Sequence, residues 1–221
     1  MSLHPQVRVF VRPYGSVVPL GFLIFGLGMF LFAALDAGWV KPAETHTIGT
    51  MLLTFVAPIE LVATVFAFLS RDTVAGVTLG LFSGSWLLSG VLTAEATPGV
   101  LSPAQGYFLF GFSVAILLLA AVASLGQPLI AIVLTISCAR AVAFAVYEVG
   151  GGRRWETVSG WIALGIFCVA MYAGLAFLLE DVKGRTVLPL GRRGSSREAI
   201  DGGMAAQLEG LADEPGVRKH L

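Results

Sequence analysis

Six long apolar runs constrain this chain more than anything else in it. They cover about residues 17–35, 46–69, 73–94, 105–125, 128–149 and 157–179. Each is 19 to 24 residues long. At about 1.5 Å of rise per residue, such a run crosses a bilayer core of about 30 Å as a tilted helix. Glycines and prolines inside the runs do not argue against helix, because spanning helices tolerate them. Only 13% of the 221 residues are charged and mean hydropathy is +0.84. A soluble domain carries about 25% charged residues. The expected fold is therefore an all-α membrane bundle of six transmembrane helices.

The connections fit that reading. Residues 70–72 and 126–127 barely allow a helical hairpin. Residues 95–104, with Pro98 and Pro103, form one of the longer links. Residues 1–16 contain Pro5, Arg8, Arg12 and Pro13, which is no signal peptide, so the first span is expected to act as its own insertion signal. They read as an N-terminal cytoplasmic segment. Residues 17–191 read as the membrane domain. Residues 192–221 are rich in Gly, Ser, Ala and mixed charge and read as a mostly disordered cytoplasmic tail.

Orientation follows from the basic residues. Six spans put both termini on one side, with Arg8, Arg12, Arg71, Lys183, Arg185, Arg192 and Arg193. Lys41, Arg153 and Arg154 lie on the other side. The excess puts both termini in the cytoplasm of an inner or plasma membrane. Trp39, Trp155 and Trp161 fall near the outer helix ends, where an aromatic belt sits.

The third run is uncharged over 22 residues and carries Gly76, Gly80 and Gly84 four apart, with Ser83, Ser85 and Trp86 beside them. Such a ridge packs helices closely, and it also leaves room for a pathway. Two charges lie deep in spans, where each needs a reason. They are Glu60, two residues after Pro58, and Arg140. Counted from the cytoplasmic ends they lie at similar depth, so an ion pair between them is expected. The alternative puts Arg140 on a pathway, attracting an anion, with Glu60 competing for it or moving a proton. Asp36 and Glu148 lie near outer helix ends and read as solvated mouth residues. Pro58 is expected to kink its helix beside Glu60.

Catalysis finds no support. His46 is the only histidine near a span, so neither an intramembrane Ser–His dyad nor a histidine metal site can be assembled. Cys138 and Cys168 lie within apolar runs and read as reduced packing residues. Net charge is zero, with 14 basic and 14 acidic residues, which argues against a nucleic-acid partner. No cofactor motif is present. Membrane lipid is the expected surrounding.

Three landmarks together resemble the acetate uptake transporter family, which includes the bacterial succinate–acetate permeases. Pro19-Leu20-Gly21, followed by Phe25-Gly26, resembles the end of the family's N-P-A-P-L-G motif and the start of its first helix. Gly76-Val77-Thr78 through Gly84-Ser85-Trp86 resembles the third helix. Gly160-Trp161-Ile162 through Tyr172, and on to Gly184-Arg185-Thr186-Val187-Leu188-Pro189-Leu190-Gly191, resembles the sixth helix and the terminal G-R-T-V-L-P motif. The resemblance implies a non-enzymatic transporter or channel for acetate, or a similar small carboxylate such as succinate. It implies a ring of protomers, a homohexamer, each with its own pathway. It implies an apolar neck at Phe25, with Ser83 at the position of a third-helix aromatic and Trp86 one turn away. Pro19, Gly21 and Tyr172 come with the motifs. Ser16-Val17-Val18 stands where the family has N-P-A, and Glu60 and Arg140 depart from its pattern. Rival readings are a channel for small neutral solutes such as urea or amides, and a membrane protein that transports nothing.

Overall fold

A computed structural model describes residues 15–97 and 99–191. The tail 192–221 and most of the N-terminal segment lie outside the described residues. Six helices are long and apolar enough to cross a membrane: α1 Val18–Asp36, α2 Pro42–Leu69, α3 Thr73–Glu95, α4 Pro103–Ala123, α5 Pro128–Gly151 and α6 Arg153–Lys183. No strand occurs among the described residues.

The chain marks each start chemically. Prolines occupy the first turns of α1, α4 and α5, where a missing N–H costs nothing. Asp72 caps α3 by accepting from the Ala75 N–H at 3.0 Å. The turn between α2 and α3 is only three residues long and needs one left-handed residue, Arg71, at φ 60°. Gly184 ends α6 at φ 62°, a left-handed cap that glycine adopts without strain.

The helices close a ring. α1 packs on α6, α6 on α5, α5 on α4, α4 on α3, α3 on α2 and α2 back on α1. Three antiparallel pairs carry most of the packing: α1 with α6, α2 with α3, and α4 with α5. Glycine permits the closest approaches. A Cβ at Gly160 of α6 would stand 2.6 Å from the Ala37 nitrogen at the end of α1. No side chain fits there.

The glycine ridge of α3 is only partly a packing surface. Gly76 lies under the Phe68 ring and Gly80 beside Thr64, both on α2. Gly84 is exposed and meets nothing within 4 Å. The seam instead runs through Gly76, Gly80, Ser83, Gly90 and Ala94. Its steps are those of a 3.5-residue repeat, the geometry of paired helices. A strict four-residue spacing advances about 40° per step, so its third member has turned away from the partner.

α2 is not uniformly α-helical. Leu52–Val56 form a π-helical turn just before Pro58. Proline cannot supply the N–H that the preceding turn requires, and the wider turn accommodates it. The Ser83 hydroxyl on α3 donates to the Ala57 carbonyl at 3.0 Å, beside that irregularity. α5 also ends in a π turn, at Tyr147–Gly151.

The eight residues after α6 fold back over its end. Leu190 is buried with Ala173, Ala176 and Phe177. The Tyr172 hydroxyl donates to the Pro189 carbonyl at 2.9 Å, and Thr186 donates to Glu180 at 2.8 Å. These contacts give the terminal G-R-T-V-L-P segment a structural reason.

Candidate functional site

A cavity of about 50 Å³ opens among the first turns of α1, α3 and α5. Val18, Ala75 and Ile130 line it beside the helix starts, with Gly21, Leu79 and Val133 about one turn further in. Gly21 makes the space, because a Cβ there would meet the Leu79 side chain at 2.6 Å. Phe25, Phe82 and Glu60, further along their helices, complete the lining. Its lining residues are apolar except for Glu60 and Thr78.

Aromatic rings close the deep end. Phe25 meets Phe82 edge-on at 4.8 Å and Trp86 at 5.9 Å between centroids. Trp86 stacks on Phe32 at 5.3 Å, and Phe82 meets Phe112 of α4 at 5.5 Å. These rings prefer edge-on and offset contacts, so α1, α3 and α4 are pinned around one plug. Phe25 and Phe32 share a face of α1, two turns apart, as do Phe82 and Trp86 one turn apart on α3.

Glu60 is 0% exposed, and neither carboxylate oxygen has a hydrogen-bond partner. The Trp86 indole comes near it, but its N–H makes no hydrogen bond of normal geometry. The Thr78 hydroxyl is likewise buried without a partner.

The expected Glu60–Arg140 pair does not form. Arg140 donates instead to Asp36 Oδ2 at 3.0 Å, and Ser159 of α6 donates to the same oxygen at 3.0 Å. The guanidinium lies over Phe32 at 4.2 Å and near Phe144 at 5.4 Å. From Glu60 the contacts run to Trp86, then to Phe32, and only then to Arg140. Similar backbone depth did not decide the pairing; the intervening rings did. Asp36 and Glu148 are not solvated mouth residues either. Both are buried, and Glu148 accepts the Ser102 N–H at 2.6 Å, tying the start of α4 to the end of α5.

The other pathway candidates separate. Gly21 and Phe25 line the cavity with Glu60, and Trp86 lies against its closed end. Pro19 is buried in the first turn of α1. Ser83 turns its hydroxyl toward α2, and Phe82, its neighbour, supplies the ring that faces Phe25. Tyr172 is 38% exposed and holds the segment after α6. Asp36, Ser159, Phe32 and Phe82 are the site residues that the sequence reading did not select. A usable signal was Gly160, since only a bare helix surface lets Ser159 reach the end of α1.

Among the described residues, no group of His, Cys, Asp and Glu is arranged to hold a metal ion.

The fold is a six-helix membrane bundle with a cavity inside it. The bacterial acetate channel SatP has this fold: its solved structure superposes with a TM-score of 0.72, covering 80% of this chain and 99% of that one at 21% identity. No protein-family model matches the chain, and no curated protein sequence matches it.

Proposed function

We propose that this chain is a membrane channel or transporter for acetate or a similar small carboxylate, with the pathway inside each protomer. The observation that carries the reading is the apolar cavity lined by Phe25 and Phe82, whose rings meet edge-on, in a fold shared with an acetate channel. Phe25, Phe82 and Trp86 form the neck. A narrow apolar neck holds back hydrated ions and favours small solutes that shed water cheaply. Gly21 keeps the approach open. Arg140 stays with Asp36 and fixes the wall beyond the neck, so it attracts no substrate.

The protomers assemble as a ring, a homohexamer, in the inner or plasma membrane. Both termini, and the starts of α1, α3 and α5 beside the cavity, face the cytoplasm, by the excess of basic residues on that side. The chain is a transporter and not an enzyme.

Uptake of labelled acetate into proteoliposomes, against protein-free liposomes, tests this. Succinate and urea serve as competitors. Saturable entry that succinate reduces supports the reading. No entry above the protein-free rate in folded protein contradicts it, and entry of urea alone transfers the pathway to neutral solutes.

A further inference from the structure

We propose that Glu60 and Thr78 form a recognition site for the undissociated form of a small monocarboxylic acid. This rests on the carboxylate reading above and specifies which form of the solute the cavity takes. The observations are the orphaned polar atoms. Both Glu60 oxygens and the Thr78 hydroxyl are buried without hydrogen-bond partners, and both residues line the same apolar cavity. A buried polar group left unpaired costs about 1–3 kcal/mol, more for a charged one. A ligand that satisfies these atoms recovers that cost.

The chemistry of the lining selects the ligand. A Glu60 oxygen accepts a hydrogen bond, so the solute must bring an O–H or N–H. The Thr78 hydroxyl can donate to a solute carbonyl. The remaining walls, among them Phe25, Leu79, Phe82 and Val133, suit a short alkyl group. A carboxylic acid carries this donor–acceptor edge on a small apolar body. A carboxylate anion would bring a full charge into an apolar cavity that no cation lines, and the unpaired Trp86 indole N–H beside Glu60 supplies a donor but no counter-charge.

No cation is placed to change this. Of the described titratable residues, Glu60 alone lines the cavity. On α1 and α5, Asp36 and Arg140 hold each other beyond the Phe32–Trp86 stack. Cys138 of α5 faces α4, where it contacts the Ser113 carbonyl. Tyr147 and Glu148 lie at the far end of α5, and α3 carries Asp72 and Glu95 only at its two ends. An acid takes up its proton in the water outside and enters whole.

The test is binding of labelled acetate to the full chain in lipid nanodiscs at pH 5.5, 6.5 and 7.5, beside labelled acetamide. Acetamide has the same shape and the same donor–acceptor edge, and does not ionise in this range. The expected result is an acetate affinity that falls about tenfold per pH unit, as one bound proton requires, with acetamide affinity constant. In Glu60→Gln the carboxamide offers N–H donors to the anion, so the fall becomes shallower. Equal acetate affinity at all three pH values overturns the inference and leaves the carboxylate reading standing. A fall in Glu60→Gln as steep as in the wild type overturns the role of Glu60. If that variant does not fold, the acetate and acetamide series on the wild type decide alone. Binding of neither solute to folded wild-type protein overturns the site and the carboxylate reading together.

Discussion

Arg140 and Asp36 are 104 residues apart in sequence and 3.0 Å apart in the fold, joined by a buried hydrogen-bonded ion pair. The pair closes α1 against α5, and Ser159 adds α6 to the same carboxylate. It also leaves Glu60 without a counter-charge. The polar character of the interior is thereby split in two, with an ion-paired cluster beyond the aromatic plug and an unpaired carboxyl before it.

Breaking that pair strands a buried charge. Arg140→Gln is expected to lower stability by about 3–5 kcal/mol, read as a lower midpoint of thermal unfolding in detergent. Asp36→Asn in the same chain should recover much of the loss, because the stranded carboxylate is gone. Rescue by Glu60→Gln instead would contradict the assigned partner.

Phe25→Ala removes one ring of the plug while leaving Phe82 and Trp86. Acetate entry should rise and discrimination against larger carboxylates should weaken, measured by uptake into proteoliposomes. The variant should also lose about 3–5 kcal/mol of stability, the usual cost of deleting a buried phenyl ring. Unchanged flux and selectivity in folded protein would remove Phe25 from the neck.

Tyr172 carries the opposite expectation. Its hydroxyl serves the Pro189 carbonyl on the outside of the bundle. Tyr172→Phe should cost about 0.5–1.5 kcal/mol and leave acetate uptake unchanged. A changed substrate preference would put the ring back on the pathway.

Two glycines separate close packing from open surface. Gly160→Ala drives a methyl group to 2.6 Å from backbone, and about 1–3 kcal/mol of destabilisation is expected. Gly84→Ala meets nothing within 4 Å of this chain and should leave the protomer's unfolding midpoint unchanged. Unfolding of both variants, compared with the parent, checks the contrast.

The helices were legible because hydropathy and length act locally. All six spans lie within a few residues of the apolar runs, and the start signals at Pro19, Asp72, Pro103 and Pro128 are written beside them. Pairing of side chains across the bundle was not legible in the same way. Counting residues from the membrane surface put Glu60 and Arg140 at one depth, but contact depends also on azimuth and on what stands between. The Phe32–Trp86 stack has no local signature. The glycine ridge failed at Gly84 for a related reason: a four-residue repeat drifts around the helix while packed helices follow a 3.5-residue one. Motif position points to Ser83, but its hydroxyl satisfies the backbone beside Pro58 and its neighbour Phe82 supplies the ring that meets Phe25. Glu60, selected as a buried charge needing a reason, does line the cavity, without the partner expected for it.

Passage of solute through the cavity of the protomer itself is the core of the proposed function. Its most direct test places a single thiol at Val133, in the cavity wall, in a chain carrying Cys138→Ser and Cys168→Ser. Acetate uptake into proteoliposomes is measured before and after a small thiol reagent, with the extent of labelling determined in the same sample. Labelling of Val133→Cys is expected to abolish uptake, and excess acetate is expected to slow the labelling. Complete labelling with uptake unchanged would contradict it, and the pathway would have to lie elsewhere.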